Sequence, residues 1–255
     1  MEKRFQCKMC GNCCRNMRGR TEREHPSPVP PYIFENVPLL QRTLALFEWE
    51  VQNLQCRAKE LSIDFKAKPS YIFWDDLAKT PLVLQWNLDH DNCPFLSTEN
   101  LCKVHDQKPL ICQAYPLMAS GLMNIEDQKK GLFLLDCPNV APLPFEMERM
   151  IKVVPSKFFR ETFNIYGNTF AASLRFDALG VLFDQFLTDL TREWIIHPAI
   201  IDKEVEQSIL KEKPKGLLEH LESKCPSRVE DFKRDIDSLS MIDETFRNMF
   251  SSNTK

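Results

Sequence analysis

The placement of cysteine constrains this chain more than any other feature. Ten cysteines occur in 255 residues, at 7, 10, 13, 14, 56, 93, 102, 112, 137 and 225. A first run reads Cys7-x2-Cys10-Gly11-x-Cys13-Cys14, and four more sulfurs follow as Cys93-x8-Cys102-x9-Cys112-x24-Cys137. Thiolates are soft ligands that select Zn2+, Cu(I) or iron–sulfur clusters. In Cys-x2-Cys the intervening turn aims both sulfurs at one ion, and Gly11 relaxes the backbone where a positive φ is needed. Adjacent Cys13 and Cys14 are different, because successive side chains diverge. The pair points to two neighbouring sites, or to one larger cluster with a spare thiol. A metal that closes the 78-residue gap between Cys14 and Cys93 constrains the unfolded chain strongly, so binding and folding are expected to be coupled in this half.

Composition narrows the class. Hydrophobic residues make up 43% of the chain and charged residues 27%, values that belong to a globular protein and exclude a collagen, a disordered tail or a membrane bundle. No apolar run reaches the roughly 18 residues of a spanning helix, so no membrane partner is expected. Net charge is −3, which supplies no global basic field to attract nucleic acid. The start, Met-Glu-Lys-Arg-Phe-Gln-Cys, has no apolar stretch of the secretory kind, so a cytoplasmic location is expected. There thiols stay reduced, and clustered cysteines bind metal rather than pair as disulfides.

Hydrophobic spacing gives a coarse architecture. Leu40, Leu44, Phe47, Val51, Leu54 and Leu61 recur at helical spacing and predict a helix over about 36–63. Tyr71–Trp74 predicts a strand. Leu82, Leu84, Trp86 and Leu88 alternate and predict a half-buried second strand, with the turn at 75–81. Residues 93–116 read as loop, and 117–125 with 132–135 as a second hairpin. Beyond about 144 the chain turns helical, with stripes at Leu179–Leu190 and Val229–Phe250 and a break at Cys225-Pro226. The expected fold is α+β: a small unit over 1–140 organised by Cys-ligated metal, with β-hairpins and a helix, followed by a mainly helical half over 141–255.

Several residues have plainer readings. Cys56 is expected to pack as a small apolar residue in its helix, and Cys225 to sit in an inter-helix loop. His105 is expected to be a loop residue or a donor to sulfur. His25, His197 and His220 are expected in solvent. Arg15, Arg18, Arg20 and Arg23 read as a basic loop partly neutralised by Glu22 and Glu24. Tyr71, Phe73, Trp74 and Trp86 read as core. No Ser-His-Asp order, paired carboxylate motif or dinucleotide fingerprint stands out.

The metal type is weighed by spacing. Structural zinc favours four Cys in two knuckles. Iron–sulfur sites favour Cys-x2-Cys-x2-Cys with a distant Cys-Pro, as in Cys7, Cys10 and Cys13 here with Cys93-Pro94 and Cys137-Pro138. An iron–sulfur cluster is therefore favoured over zinc.

Together these residues, with Pro94-Phe95-Leu96, His105, Pro109 and Tyr115-Pro116, resemble the CxxCxxCC zinc- or iron-chelating family, which includes the flagellin lysine methylases. The resemblance covers roughly residues 5–138. It implies metal or cluster binding at Cys7, Cys10, Cys13, Cys14, Cys93, Cys102, Cys112 and Cys137. The family pattern carries Arg where this chain has Lys108 and Gln113. The expectation is a metal-binding protein carrying one or two Cys-ligated sites, of [4Fe-4S] type, with a redox or protein-modifying role and a protein partner or substrate. The alternative is a zinc-binding structural, chelating or interaction module without catalysis.

Overall fold

A computed structural model describes residues 5–18, 30–38, 41–117, 137, 155–242, 244, 245 and 248, with backbone alone at 155–158. Among them the fold is α+β. The strands are β1 (Phe34–Glu35), β2 (Ala45–Leu46), β3 (Ala67–Asp75), β4 (Thr80–Leu88) and β5 (Lys215–Gly216). The helices are α1 (Glu48–Glu60), α2 (Leu110–Ala114), α3 (Pro155–Tyr166), α4 (Asn168–Arg192), α5 (Lys203–Lys211), α6 (Leu217–Lys224) and α7 (Pro226–Ser238). The chain forms two compact units, one of residues 1–13, 105–182 and 235–255, the other of 14–104 and 183–234. Each unit draws chain from both sides of residue 140.

The second unit is built on the β3–β4 hairpin. The two strands pair antiparallel from Ala67↔Leu88 to Asp75↔Thr80, with register irregularities around Tyr71. β1 lies against β3, whereas the other edge of β4 is shared by antiparallel β2 and parallel β5. Both faces of the sheet are covered. Leu88 joins Leu46, Val51, Leu54, Ala58 and Phe95 in one cluster, while Val83 joins Ile72, Trp74 and Ile209 of α5 in another. That cover explains why β4 lacks the expected alternation: Pro81, Leu82, Val83, Asn87 and Leu88 are all buried. Phe73 and Trp74 are core, as their spacing implies, and the Tyr71 hydroxyl accepts from Arg42 at 2.7 Å.

The helix expected from residue 36 begins at Glu48 instead. The open edge of β4 captures the preceding segment: Leu88 N–H donates to Leu44 O at 3.0 Å, and Leu46 pairs with Trp86. An unpaired strand edge satisfies backbone groups that a longer helix would otherwise satisfy itself. The stripe at 229–250 is likewise interrupted, since α7 ends at Ser238. The hairpin expected at 117–135 falls almost wholly outside the described residues.

In the first unit, Phe163, Ile165 and Tyr166 of α3 with Phe170, Ala171 and Leu174 of α4 form the core. Phe5 and Leu117 pack against it. Gly167, at φ 52°, makes the turn between the helices, where a side chain would be strained. The lower part of α4 belongs to the second unit, where Phe183 and Phe186 lie against Phe232 of α7. Among the described residues no helix is long and apolar enough to cross a membrane.

Two buried acids pin α6 in the second unit. The Glu48 carboxylate, on a residue only 8% exposed, accepts from Leu218 N–H at 2.8 Å and Glu219 N–H at 2.9 Å. These are orphan donors at a helix N-terminus, so the acid acts as a cap supplied from α1. Burial nevertheless pushes the Glu48 pKa up, against those two hydrogen bonds. The approach is so close that a Cβ on Gly216 would clash with the carboxylate. Asp75 is fully buried, and its Oδ1 accepts from His197 N–H at 2.8 Å and Leu77 N–H at 3.3 Å. Its Oδ2 faces His220 Nε2 and Lys224 Nζ, each at 3.9 Å. His220 is thus buried rather than solvated, because α6 lays it against the sheet.

Glu48→Ala strands one buried and one part-buried amide and is expected to cost about 2 kcal/mol by urea denaturation. Gly216→Ala is expected to destabilise as well, by displacing the carboxylate. His220 has its pKa lowered by burial and by Lys224 and Lys215, against the opposing pull of Asp75. The unfolded chain therefore takes up this proton first, and the associated stability, full above pH 6.5, is lost as pH falls through the folded value. His220→Leu is expected to flatten the decline in urea midpoint that sets in below pH 6.5.

Candidate metal centre

The first cysteine run is anchored at its root. Phe5 N–H donates to Ile165 O at 2.7 Å, and its ring lies 5.3 Å from that of Tyr166. Beyond Cys7 the backbone enters the left-handed region at Met9 (φ 49°) and Gly11 (φ 74°), then forms a 3-10 turn over Asn12–Cys14, and returns to it at Asn16 (φ 47°). For a residue with a Cβ this costs about 1–2 kcal/mol, and Met9 and Asn16 both carry it. Left-handed residues in such turns bring successive N–H groups to one side, an arrangement suited to an anion or a thiolate sulfur. Cys7 is exposed, while Cys10, Cys13 and Cys14 are half-buried.

In the second unit the chain after Cys13 is laced to the segment before Cys93. Cys93 N–H donates to Cys14 O at 2.7 Å, and Met17 N–H to Asp91 O at 2.8 Å. Side chains complete the seam: Asn92 Oδ1 accepts from Asn16 N–H and Asp91 Oδ1 from Arg18 N–H, both at 3.0 Å. The Arg18 guanidinium also pairs with Asp89 at 3.1 Å, and Arg15 bonds Asn100 Oδ1. These two arginines therefore serve the local fold. Cys102 is brought alongside by a tight turn, in which Leu96 bridges Cys102 and Lys103 N–H donates to Phe95 O at 2.9 Å. Cys93 and Cys102 both pack against the core that holds Phe95 and Val104.

Of the eight predicted ligands, Cys14, Cys93 and Cys102 thus share a neighbourhood in the second unit. Cys7, Cys10, Cys13, Cys112 and Cys137 belong to the first. Cys112 sits on α2, and Cys137 is half-buried. Among the described residues no group of three or more His, Cys, Asp or Glu side chains is gathered to hold a metal ion. No disulfide joins the described cysteines.

The remaining thiols and imidazoles are placed elsewhere. Cys56 is exposed, not packed, because α1 buries the face of Val51, Leu54 and Ala58. Cys225 lies between α6 and α7, where burial raises its thiol pKa. His90 Nε2 accepts from Lys66 N–H at 3.0 Å, and burial lowers its pKa, so its lone pair is already engaged. His105 opens an exposed 3-10 turn over His105–Gln107. The sequence reading missed Asp91 and Asn92, whose carboxylate and amide fasten the cysteine segments. Their only signal was a short polar run, Asp89-His90-Asp91-Asn92, ahead of Cys93.

The donor set, eight thiols with left-handed turns among the first of them, fits Zn2+ or an iron–sulfur cluster. A family model, CxxCxxCC, described as a "Putative zinc- or iron-chelating domain", matches residues 6–138. No curated protein and no solved structure matches the chain.

The seam can be tested directly. Asp91→Ala removes the acceptor of Arg18 N–H and is expected to speed amide exchange at Arg18 and Cys93, with no change in exchange along β3. Equal exchange at Cys93 in both proteins would show that Asp91 does not hold the two segments together.

Proposed function

The chain belongs to the CxxCxxCC family, and from that premise we propose that it is a metal-binding protein whose eight cysteines, Cys7, Cys10, Cys13, Cys14, Cys93, Cys102, Cys112 and Cys137, supply the ligands of one or two Cys-ligated sites holding iron–sulfur clusters of the [4Fe-4S] type. One observation carries the reading: the matched span, residues 6–138, contains all eight of these thiols, with Cys56 the one other cysteine inside it. Support for iron over zinc comes from the Cys7, Cys10, Cys13 spacing and from Cys93-Pro94 and Cys137-Pro138. Support for two groups of ligands comes from the division of the chain between Cys13 and Cys14.

The protein's own part in this reading is to deliver thiolates and to set their surroundings. Met9 and Gly11 shape the first turn, and the seam through Asp91 and Asn92 holds Cys14 beside Cys93. Ligands must deprotonate and converge, so loading is coupled to folding of the cysteine segments and releases protons. A bound cluster supplies one-electron chemistry or an iron position for substrate. Redox or protein-modifying activity on a protein substrate is the role proposed, in a reducing compartment such as the cytoplasm. A colourless zinc-loaded module is the competing form.

Metal analysis on anaerobically purified protein tests this. Several irons per chain and broad visible absorption are expected. About two zincs per chain in a colourless protein would replace the cluster with the zinc form. Cys112→Ser is expected to lose metal and lower thermal stability, whereas Cys225→Ser keeps full metal content. Full loading of Cys112→Ser would remove Cys112 from the ligand set.

A further inference from the structure

Cys112 sits on a five-residue helix, too short to hold its own geometry in water. Its position is fixed from outside by the next residue. Gln113 Nε2 donates to Lys108 O at 2.8 Å, closing the turn that leads into α2, and Gln113 N–H donates to Pro109 O at 3.0 Å. The other end of the same amide, Gln113 Oε1, accepts from Arg175 Nη2 at 3.0 Å. Arg175 lies on α4, next to Leu174 of the first unit's core and one turn beyond Ala171. A helix seated by buried apolar residues thus presents a guanidinium to the residue that follows a predicted ligand, across 62 positions of sequence. All of these residues lie in the first unit.

We propose that Arg175 is a positioning residue for the Cys112 thiolate: acting through Gln113, it fixes the 108–113 turn and places a permanent positive charge beside a ligand set that is negative overall. The proposal rests on the metal-binding reading above. Four thiolates around Zn2+ carry a net charge of about −2, and guanidinium, which does not deprotonate in proteins, offsets part of it. Partners that orient a metal ligand typically contribute about 10–100-fold in affinity. The amide of Gln113 is suited to the link because it can accept from Arg175 while donating to Lys108.

The test uses the full chain, loaded with iron and, separately, with Zn2+. Metal per chain and resistance to a competing chelator are measured for wild type, Arg175→Met, Arg175→Lys, Gln113→Leu and Cys112→Ser. The urea midpoint of each metal-free protein is measured alongside. Arg175→Met and Gln113→Leu are expected to lose metal to chelator at about tenfold lower concentration with an unchanged metal-free midpoint, and Arg175→Lys to recover most of that loss. Wild-type chelator resistance in Arg175→Met, with the loss confined to Cys112→Ser, overturns the role of Arg175 and leaves the metal reading standing. A fall in the metal-free midpoint that matches the loss of metal assigns Arg175 to the core and also overturns it. A wild-type chain that takes up neither metal removes the metal reading and this inference together.

Discussion

A backbone hydrogen bond of 2.7 Å, from Cys93 N–H to Cys14 O, joins two stretches of chain that 78 residues separate. Between them lies most of the sheet. Closing so long a loop costs entropy, and one amide bond of about 1 kcal/mol net does not offset it. The seam therefore works as a set: the Asp91 and Asn92 side chains, the Arg18–Asp89 pair and the hydrophobic cluster around Phe95 act together. Polar contacts set the register, and the apolar cluster supplies the larger share of the stabilisation.

The second unit repeats one device, a buried acid that accepts backbone amides. Glu48 receives two amides of α6, and Asp75 receives those of Leu77 and His197. Burying a carboxylate is costly unless donors meet it, and backbone amides are donors that titration does not remove. The consequence is opposite pressure on neighbouring groups of one helix contact. Burial pushes the Glu48 pKa up and the His220 pKa down. Protonation of the first relieves a desolvated charge, whereas protonation of the second creates one.

Much of the framework was legible in the sequence. The β3–β4 hairpin, the long helix through Leu179–Leu190 and the break at Cys225-Pro226 all follow from local spacing and proline. Local spacing could not reveal that β4 would claim residues 44–46 for its edge, because Leu44 and Phe47 fit a helix stripe equally well. Nor could it place His220, since the burial of an imidazole depends on which sheet its helix meets. The eight thiols stand out by pattern, and the family match covers them. What pattern could not supply was the company they keep. Asp91, Asn92, Gln113 and Arg175 are ordinary polar residues until the fold ties the first two to the segment after Cys14 and the last two to each other.

The contact between Glu48 and Gly216 ties two positions that lie 168 apart in the numbering. A methyl group at this position would have to displace the carboxylate, although Gly216 itself has an ordinary φ of −61°. Its glycine is demanded by a neighbour and not by torsion. Change at the two sites is therefore coupled: an alanine at 216 requires the carboxylate of residue 48 to move aside or the residue to shorten, and the helix start at Leu217 must then find another acceptor for its amides.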